Sequence, residues 1–183
     1  AFAYTDDQLF CYQKFATADY RNAIEHCRVA AIRGDAEAQF KLATLYATGK
    51  GVAKDLIDSI EWLERATDQG HLEASYNLAF VLDKGIGVAP DLPRAAKLYR
   101  SAAERGHLKS QHNLALLYQG GRGVEKDRQQ AYEWHLKSAE DGFLHGQLRV
   151  GVMLMVGQGT TQNKSEGIKY LRKAAVRGEP EAQ

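Results

Sequence analysis

The sequence predicts an all-α chain made of stacked antiparallel helix pairs, and three observations point to it. Gly34, Gly70, Gly106, Gly142 and Gly178 recur every 36 residues, with no insertion between them. Inside each interval small and apolar residues fall at helical spacing rather than in alternation. Glycines and aspartates recur at the places where helices end and begin.

Residues 1–33 form a degenerate opening hairpin: a helix from residue 6 to about Thr17, a short turn, and a second helix carrying Ile24, Ala30 and Ala31. An array of repeats needs such an atypical end, because a terminal unit has a neighbour on one side only. Cys11 and Cys27 lie eight residues either side of Asp19 and come level in an antiparallel hairpin. One reading is a disulfide, worth about 3 kcal/mol for a loop of ~15 residues in the chain-entropy model. The other is two buried thiols, since cysteine is a common core residue. The rotation of the two helices decides between them, and spacing does not set it.

Four full units follow, 34–69, 70–105, 106–141 and 142–177, and residues 178–183 copy the start of a further one. The first helix of a unit, as in 36–47, puts Ala38, Leu42, Ala43, Leu45 and Tyr46 on one stripe. Paired glycines end it: Gly49 and Gly51, Gly85 and Gly87, Gly121 and Gly123, Gly157 and Gly159. The second helix starts at Asp55, Asp91, Asp127 or Asn163, whose side chains suit an N-cap. Asp127 with Gln130 and Asn163 with Glu166 have capping-box spacing, and Pro93 lies in the turn that tolerates proline. Trp62, Leu98, Trp134 and Tyr170 recur within that helix, and Ala131 and Ala139 continue the stripe beside Trp134. The last unit departs from the pattern at Gly146, Gly151, Thr160 and Gly167, which sets an expectation of a less regular second helix.

The Gly-x-Gly in GRGVEKD imitates a phosphate loop, but a dinucleotide fingerprint occurs once, between a strand and a helix, with a third glycine. Here the pair follows a helix four times, so its job is to turn the chain. Lys plus Arg number 24 against 23 acidic residues, which gives no excess of basic charge for nucleic acid. No apolar run approaches the ~20 residues that span a bilayer. The His-Glu-x-x-His, Gly-x-Ser-x-Gly and Ser-x-x-Lys patterns are missing, so neither catalysis nor a cofactor or metal is expected. His71 and His107, at equivalent positions of successive units, read as residues of helix starts. The halves differ in charge: residues 1–91 hold 9 basic and 14 acidic side chains, residues 92–183 hold 15 and 9. That asymmetry favours acidic partners near the C-terminal half.

The pattern A-x-x-x-L-A-x-x-Y-x-x-G-x-G-V-x-x-D-x-x-x-A-x-x-W-x-x-x-A-A-x-x-G, across residues 34–178, resembles the Sel-1-like repeat, a relative of the tetratricopeptide repeat. The resemblance implies a right-handed α/α superhelix, a solenoid, acting as a non-enzymatic adaptor that grips a peptide or protein along its concave side. It also implies which first-helix positions face that groove. Seven residues past each period glycine stand Lys41, Asn77, Asn113 and Arg149; six past stand Phe40, Tyr76, His112 and Leu148; ten past stand Thr44, Phe80, Leu116 and Val152. Asn77 and Asn113 would hold a peptide backbone, Lys109 would join Arg149 on a carboxylate, and Phe80, Leu116 and Val152 would form an apolar strip. The competing reading makes the asparagines solvated surface and packs Phe40 and Phe80 against the next unit.

Function divides accordingly. The leading expectation is an adaptor that organises or regulates a bacterial, exported complex. The alternative is a carbohydrate- or cell-wall-binding accessory or enzyme regulator, with Tyr76 and Phe80 stacking on sugar and Glu37 and Glu73 as isolated acids. The paired cysteines and the Ala-Phe-Ala opening, similar to the end of a secretory signal, favour a periplasmic or secreted protein over a cytoplasmic one. At the other end, an exposed stripe including Met153 and Leu171 is expected to be covered by further chain or by a partner, and self-association through the last unit is expected if the chain stops.

Overall fold

The computed structural model describes residues 5–178, which form ten helices and no strand. They fall into two compact units divided between Pro90 and Asp91. The first contains α1 (Asp6–Ala16), α2 (Tyr20–Ile32), α3 (Ala36–Thr48), α4 (Leu56–Asp68) and α5 (Leu72–Lys84). The second contains α6 (Leu92–Glu104), α7 (Leu108–Gly120), α8 (Arg128–Glu140), α9 (Leu144–Val156) and α10 (Lys164–Gly178). Within each unit every helix packs on its predecessor, giving the all-α, sequentially paired arrangement of a solenoid. Among the described residues no helix is long and apolar enough to cross a membrane. The Ala-Phe-Ala opening and the residues after Gly178 lie outside the described residues.

The two glycines of each loop do different work. Gly121 closes α7 at φ 68° and donates its N–H to the Leu117 carbonyl, a left-handed cap that a β-carbon disfavours. Gly123 is needed for space as well, since a β-carbon there would collide with the carbonyl oxygen of Leu92 in the first turn of α6. Gly51 against Tyr20 and Gly159 against Arg128 repeat this contact.

The expected aspartate caps form: Asp55 Oδ1 accepts from the N–H groups of Ile57 and Asp58 at 2.9 and 3.0 Å, and Asp127 does the same for Gln129 and Gln130. Asn163 accepts from the Glu166 N–H at 3.1 Å. The reciprocal half of the two expected capping boxes does not form. Gln130 donates to Glu133 at 2.9 Å and Glu166 pairs with Lys169 at 2.9 Å, partners one turn ahead that outcompete the cap backbone. A complete box is found instead at Thr5 and Gln8, opening α1.

Cys11 and Cys27 are joined in a disulfide between α1 and α2, with Cα atoms 4.7 Å apart and both residues fully buried. They sit in a core with Ala23, Ala30, Ala38, Leu42 and Leu45. Asp35, which caps α3 through the Ala38 N–H, also accepts from Gln8 Nε2 at 2.7 Å and Tyr12 Oη at 2.5 Å, so α1 is tied to the first repeat by polar as well as apolar contacts.

In the last repeat α10 is continuous, contrary to the expected irregularity. A β-carbon on Gly151 would lie 2.7 Å from Leu171 Cγ, and one on Gly167 would lie 2.9 Å from the Gly151 carbonyl. These glycines let α9 and α10 approach closely, and burial of the seam outweighs their poor helix propensity. Met153 also departs from expectation, being buried with Val150 and Leu154 on the core side of α9. The apolar residues that α9 exposes are Leu148, Val152 and Val156, spaced by single turns on its other side.

Two outcomes follow for urea unfolding of the full chain. Gly123→Ala is expected to cost about 2–4 kcal/mol, from left-handed strain plus collision with α6, whereas Gly34→Ala, at φ 96° in open space, should cost only about 1 kcal/mol. Replacing Cys11 and Cys27 together by alanine should remove about 3 kcal/mol. An unfolding midpoint indifferent to reductant in the native chain would contradict that role for the bridge.

Candidate functional site

In the first unit a cavity of about 320 Å³ opens between α3, α4 and α5. Thr44 and Ala47 of α3, Leu63 of α4, and Asn77 and Phe80 of α5 are among its walls, with Ile86 at its end. Three positions that the sequence assigns to a groove, Thr44, Asn77 and Phe80, are therefore brought together around one space. Phe80 and Ile86 are each 37% exposed, so apolar surface is open at this cavity. Thr44 gives its hydroxyl to the Phe40 carbonyl at 2.9 Å, the usual back-bond of a helical threonine. Tyr76 stands beside Phe80 with ring centroids 6.4 Å apart and planes tilted by 32°.

Phe40 and Lys41 are engaged within the unit. The Phe40 ring stacks on the His71 imidazole at 4.8 Å. His71 caps α5: its Nδ1 accepts the Ala74 N–H at 3.1 Å, which leaves Nε2–H to donate to Glu37 Oε2 at 2.8 Å. Glu37 also pairs with Lys41, whose ammonium lies over the rings of Tyr12 and Phe15 at 5.5 and 4.8 Å. The His71 hydrogen bond and the Lys41 charge together hold the Glu37 carboxyl down to about 2. This carboxylate, an isolated acid in the sequence, joins α3 to the start of α5.

In the second unit Lys109, Arg149, Leu148 and Val152 are exposed, and Asn113 and Leu116 are half-buried on α7. His112 is half-buried and meets three rings: His135 of α8 at 5.0 Å, Phe143 at the start of α9 at 5.6 Å, and His145 of α9 at 5.8 Å. His135 is fully buried at the place that Leu63 takes two repeats earlier. Neither of its ring nitrogens has a hydrogen-bond partner, and nor does Nδ1 of His112. Burial first, then the neighbouring His145 and Arg149, lowers His112 to about 4; burial, then His112 and Arg149, lowers His135 to about 3. Among the described residues no group of three His, Cys, Asp or Glu side chains is placed to hold a metal ion.

His107 caps α7 as His71 caps α5, its Nδ1 taking the Ser110 N–H at 3.2 Å. The sequence reading missed a further recurring device. Gln39, Gln111 and Gln147 are buried, and each donates its side-chain amide to a carbonyl eight residues earlier, of Ala31, Ala103 and Ala139 respectively. The signal was present in their recurrence at multiples of the repeat length, but their polarity disguised a core role.

A protein-family model described as Sel1 repeat matches residues 36–71, 72–107, 108–143 and 144–178. Among solved structures, a Sel1 repeat protein from Oxalobacter formigenes is similar over 98% of this chain and 71% of its own, with 27% identity and a TM-score of 0.89. The protein c5321, a protective antigen present in uropathogenic Escherichia coli strains and displaying an SLR fold, is 33% identical with a TM-score of 0.83; the likeness covers 85% of this chain and 33% of that one. Immunity protein Pa5087 from Pseudomonas aeruginosa, at 18% identity and a TM-score of 0.59 over 97% of this chain and 68% of its own, shares the fold alone. No curated protein matches.

The buried imidazoles make stability depend on pH. An unfolded histidine takes its proton near 6.5, whereas folded His135 takes one only near 3, so between those values the unfolded state binds more protons. Stability should therefore fall as pH drops below about 6.5. His135→Leu is expected to relieve much of that loss and to add about 1–2 kcal/mol at pH 7 by removing an unpartnered buried polar ring. Urea midpoints of both proteins at pH 7 and pH 5 check both effects.

Proposed function

The chain belongs to the Sel1 repeat family, and from that premise we propose that it is a non-enzymatic interaction module whose cavity between α3, α4 and α5 seats an apolar side chain of a partner segment. Proteins of this family generally mediate protein interactions. The observation that carries the specific reading is the convergence of Thr44, Asn77 and Phe80 on one cavity of about 320 Å³, large enough for an aromatic or branched aliphatic side chain. Phe80 and Ile86 supply apolar contact, and the Asn77 amide supplies one donor and one acceptor for a peptide backbone beside the anchor. Asn113, Leu116, Leu148 and Val152 form a corresponding contact area in the second unit. Self-association is proposed for the exposed apolar residues near its end, Val156 of α9 and Ile168 of α10 among them.

Export to the periplasm or beyond is proposed with it, supported by the Cys11–Cys27 disulfide, since such bonds persist in oxidising compartments. The similar solved protein from Escherichia coli is a protective antigen. Carbohydrate binding by Tyr76 and Phe80 has less behind it, since the two rings are tilted rather than set as one flat platform.

Panning a random twelve-residue peptide library on the full chain tests the proposal. Enriched peptides should share one large apolar residue, bind Phe80→Asp at least tenfold more weakly, and lose a smaller factor on Asn77→Ala. Failure to enrich any peptide, or enriched peptides indifferent to both substitutions, would overturn it.

A further inference from the structure

The second unit carries a cluster of imidazoles and cations that lacks the acid its counterpart contains. Around Phe40 in the first unit, Glu37 provides a carboxylate that His71 and Lys41 share. Two repeats later the position of Glu37 is Lys109 and that of Phe40 is His112, while Phe143 stands where His71 stood. The aromatic–histidine contact is kept with its partners exchanged, 4.8 Å between centroids in one unit and 5.6 Å in the other. The carboxylate is gone. His145 and Arg149, one turn apart on α9, complete the surroundings of His112.

We infer that this locus is a binding site for a carboxylate carried by an acidic segment of a partner protein, held by Arg149 with the imidazoles of His112 and His145. Arg149 is exposed and forms no ion pair among the described residues. His112 has a buried nitrogen without a partner, and His135 behind it, fully buried, has two. The groups whose charge acts on this pair are His112 itself on α7 and His145 and Arg149 on α9; no carboxylate is among the causes that shift either imidazole. An entering carboxylate therefore meets the Arg149 guanidinium beside imidazole rings, in the half of the chain with 15 basic against 9 acidic side chains. Guanidinium takes a carboxylate in a two-pronged hydrogen bond, and imidazole N–H adds a further donor.

Binding is coupled to protons. His112 is neutral at pH 7 because burial, His145 and Arg149 oppose its charge, and a carboxylate at contact distance reverses that balance, raising an imidazole by about two pH units. From about 4 in the free chain, the bound form titrates closer to neutral pH. The complex takes up a proton that free protein does not hold, and affinity rises as pH falls from 7.5 to 5.5, a range in which glutamate side chains stay ionised.

This site rests on the broader reading of the chain as a peptide-binding module, but not on the cavity beside Phe80. The test uses the full chain and a fluorescent, C-terminally amidated hexaglutamate peptide, followed by anisotropy at pH 7.5 and 5.5, with hexaglutamine as control. The expected result is hexaglutamate binding that tightens about fourfold at the lower pH, with no binding of hexaglutamine. Arg149→Ala should weaken it at least tenfold. The paired change His112→Phe and His135→Leu, which restores residue types found at equivalent places in the first unit, should weaken hexaglutamate binding at pH 5.5 and flatten its pH dependence. Phe80→Asp should leave hexaglutamate affinity unchanged, so loss of the apolar site and loss of this one are told apart. Absence of hexaglutamate binding, insensitivity to Arg149→Ala, or an unchanged pH response in the paired variant would each overturn the inference.

Discussion

The close approach of each loop's second glycine to the opening turn of the second helix in the preceding hairpin is the constraint on which the rest of the structure depends. At Gly51, Gly123 and Gly159 a single β-carbon would strike the carbonyl of Tyr20, Leu92 or Arg128. Backbone meets backbone there, leaving no side chain to absorb a change in loop length. The repeat length is held at 36 residues for the same reason, since an inserted residue would lift the loop off the helix it seats against. The buried glutamines then fasten three of the four first helices, α3, α7 and α9, to the end of the helix before each. A helix pair of this size cannot bury its apolar stripe by itself, and these contacts set the neighbour on which it does so.

Polar groups between repeats follow from that spacing. In the first unit the sequence places an acid, a base and a capping histidine within reach of one another, and Glu37 is the common partner. In the second unit the same scaffold positions carry lysine, histidine and phenylalanine, and the shared carboxylate at the Glu37 position is replaced by a cation. Phe143 at the start of α9 cannot cap its helix as His71 and His107 do, so the exchange leaves that end without a side-chain cap. His135, in a place filled by leucine two repeats earlier, adds desolvation without a hydrogen bond in return. A core that tolerates such a residue departs from the local rules of its own repeats, as functional sites often do.

Much of the fold was legible because its determinants are local and repeated. Glycines at left-handed caps, aspartates at helix starts and apolar spacing all announce themselves within a few residues, and Gly121, Asp55 and Asp127 are found in those roles. Features set by the meeting of helices were less visible. The capping boxes at Asp127 and Asn163 failed because Glu133 and Lys169 offered Gln130 and Glu166 nearer partners. Met153 and Val152 are adjacent in the chain, yet the first is buried and the second exposed, and a pattern of small residues did not reveal where the covered face of α9 ends. The candidate site was legible in part: Thr44, Asn77 and Phe80 share a cavity, whereas Lys41 was read as groove-facing and is instead tethered to Glu37 above aromatic rings. The association of His112 with His135 depends on α7 and α8 being packed together, across 23 residues of sequence, and no local motif encodes it.

The sulfur atoms of the opening hairpin belong to residues with no exposed surface, packed against Ala23, Ala30 and Leu42. Thiol exchange requires a nucleophile to reach one of those sulfurs along the bond axis, so α1 must first come away from α2. The lifetime of the staple in a reducing medium then depends on how often the hairpin breathes as well as on the reductant's strength. Once cut, a hairpin held by alanine contacts, the Asp7 pairs with His26 and Arg33, and the Asp35 network would separate more readily and leave α3 as the raw end of the array, more open to proteases.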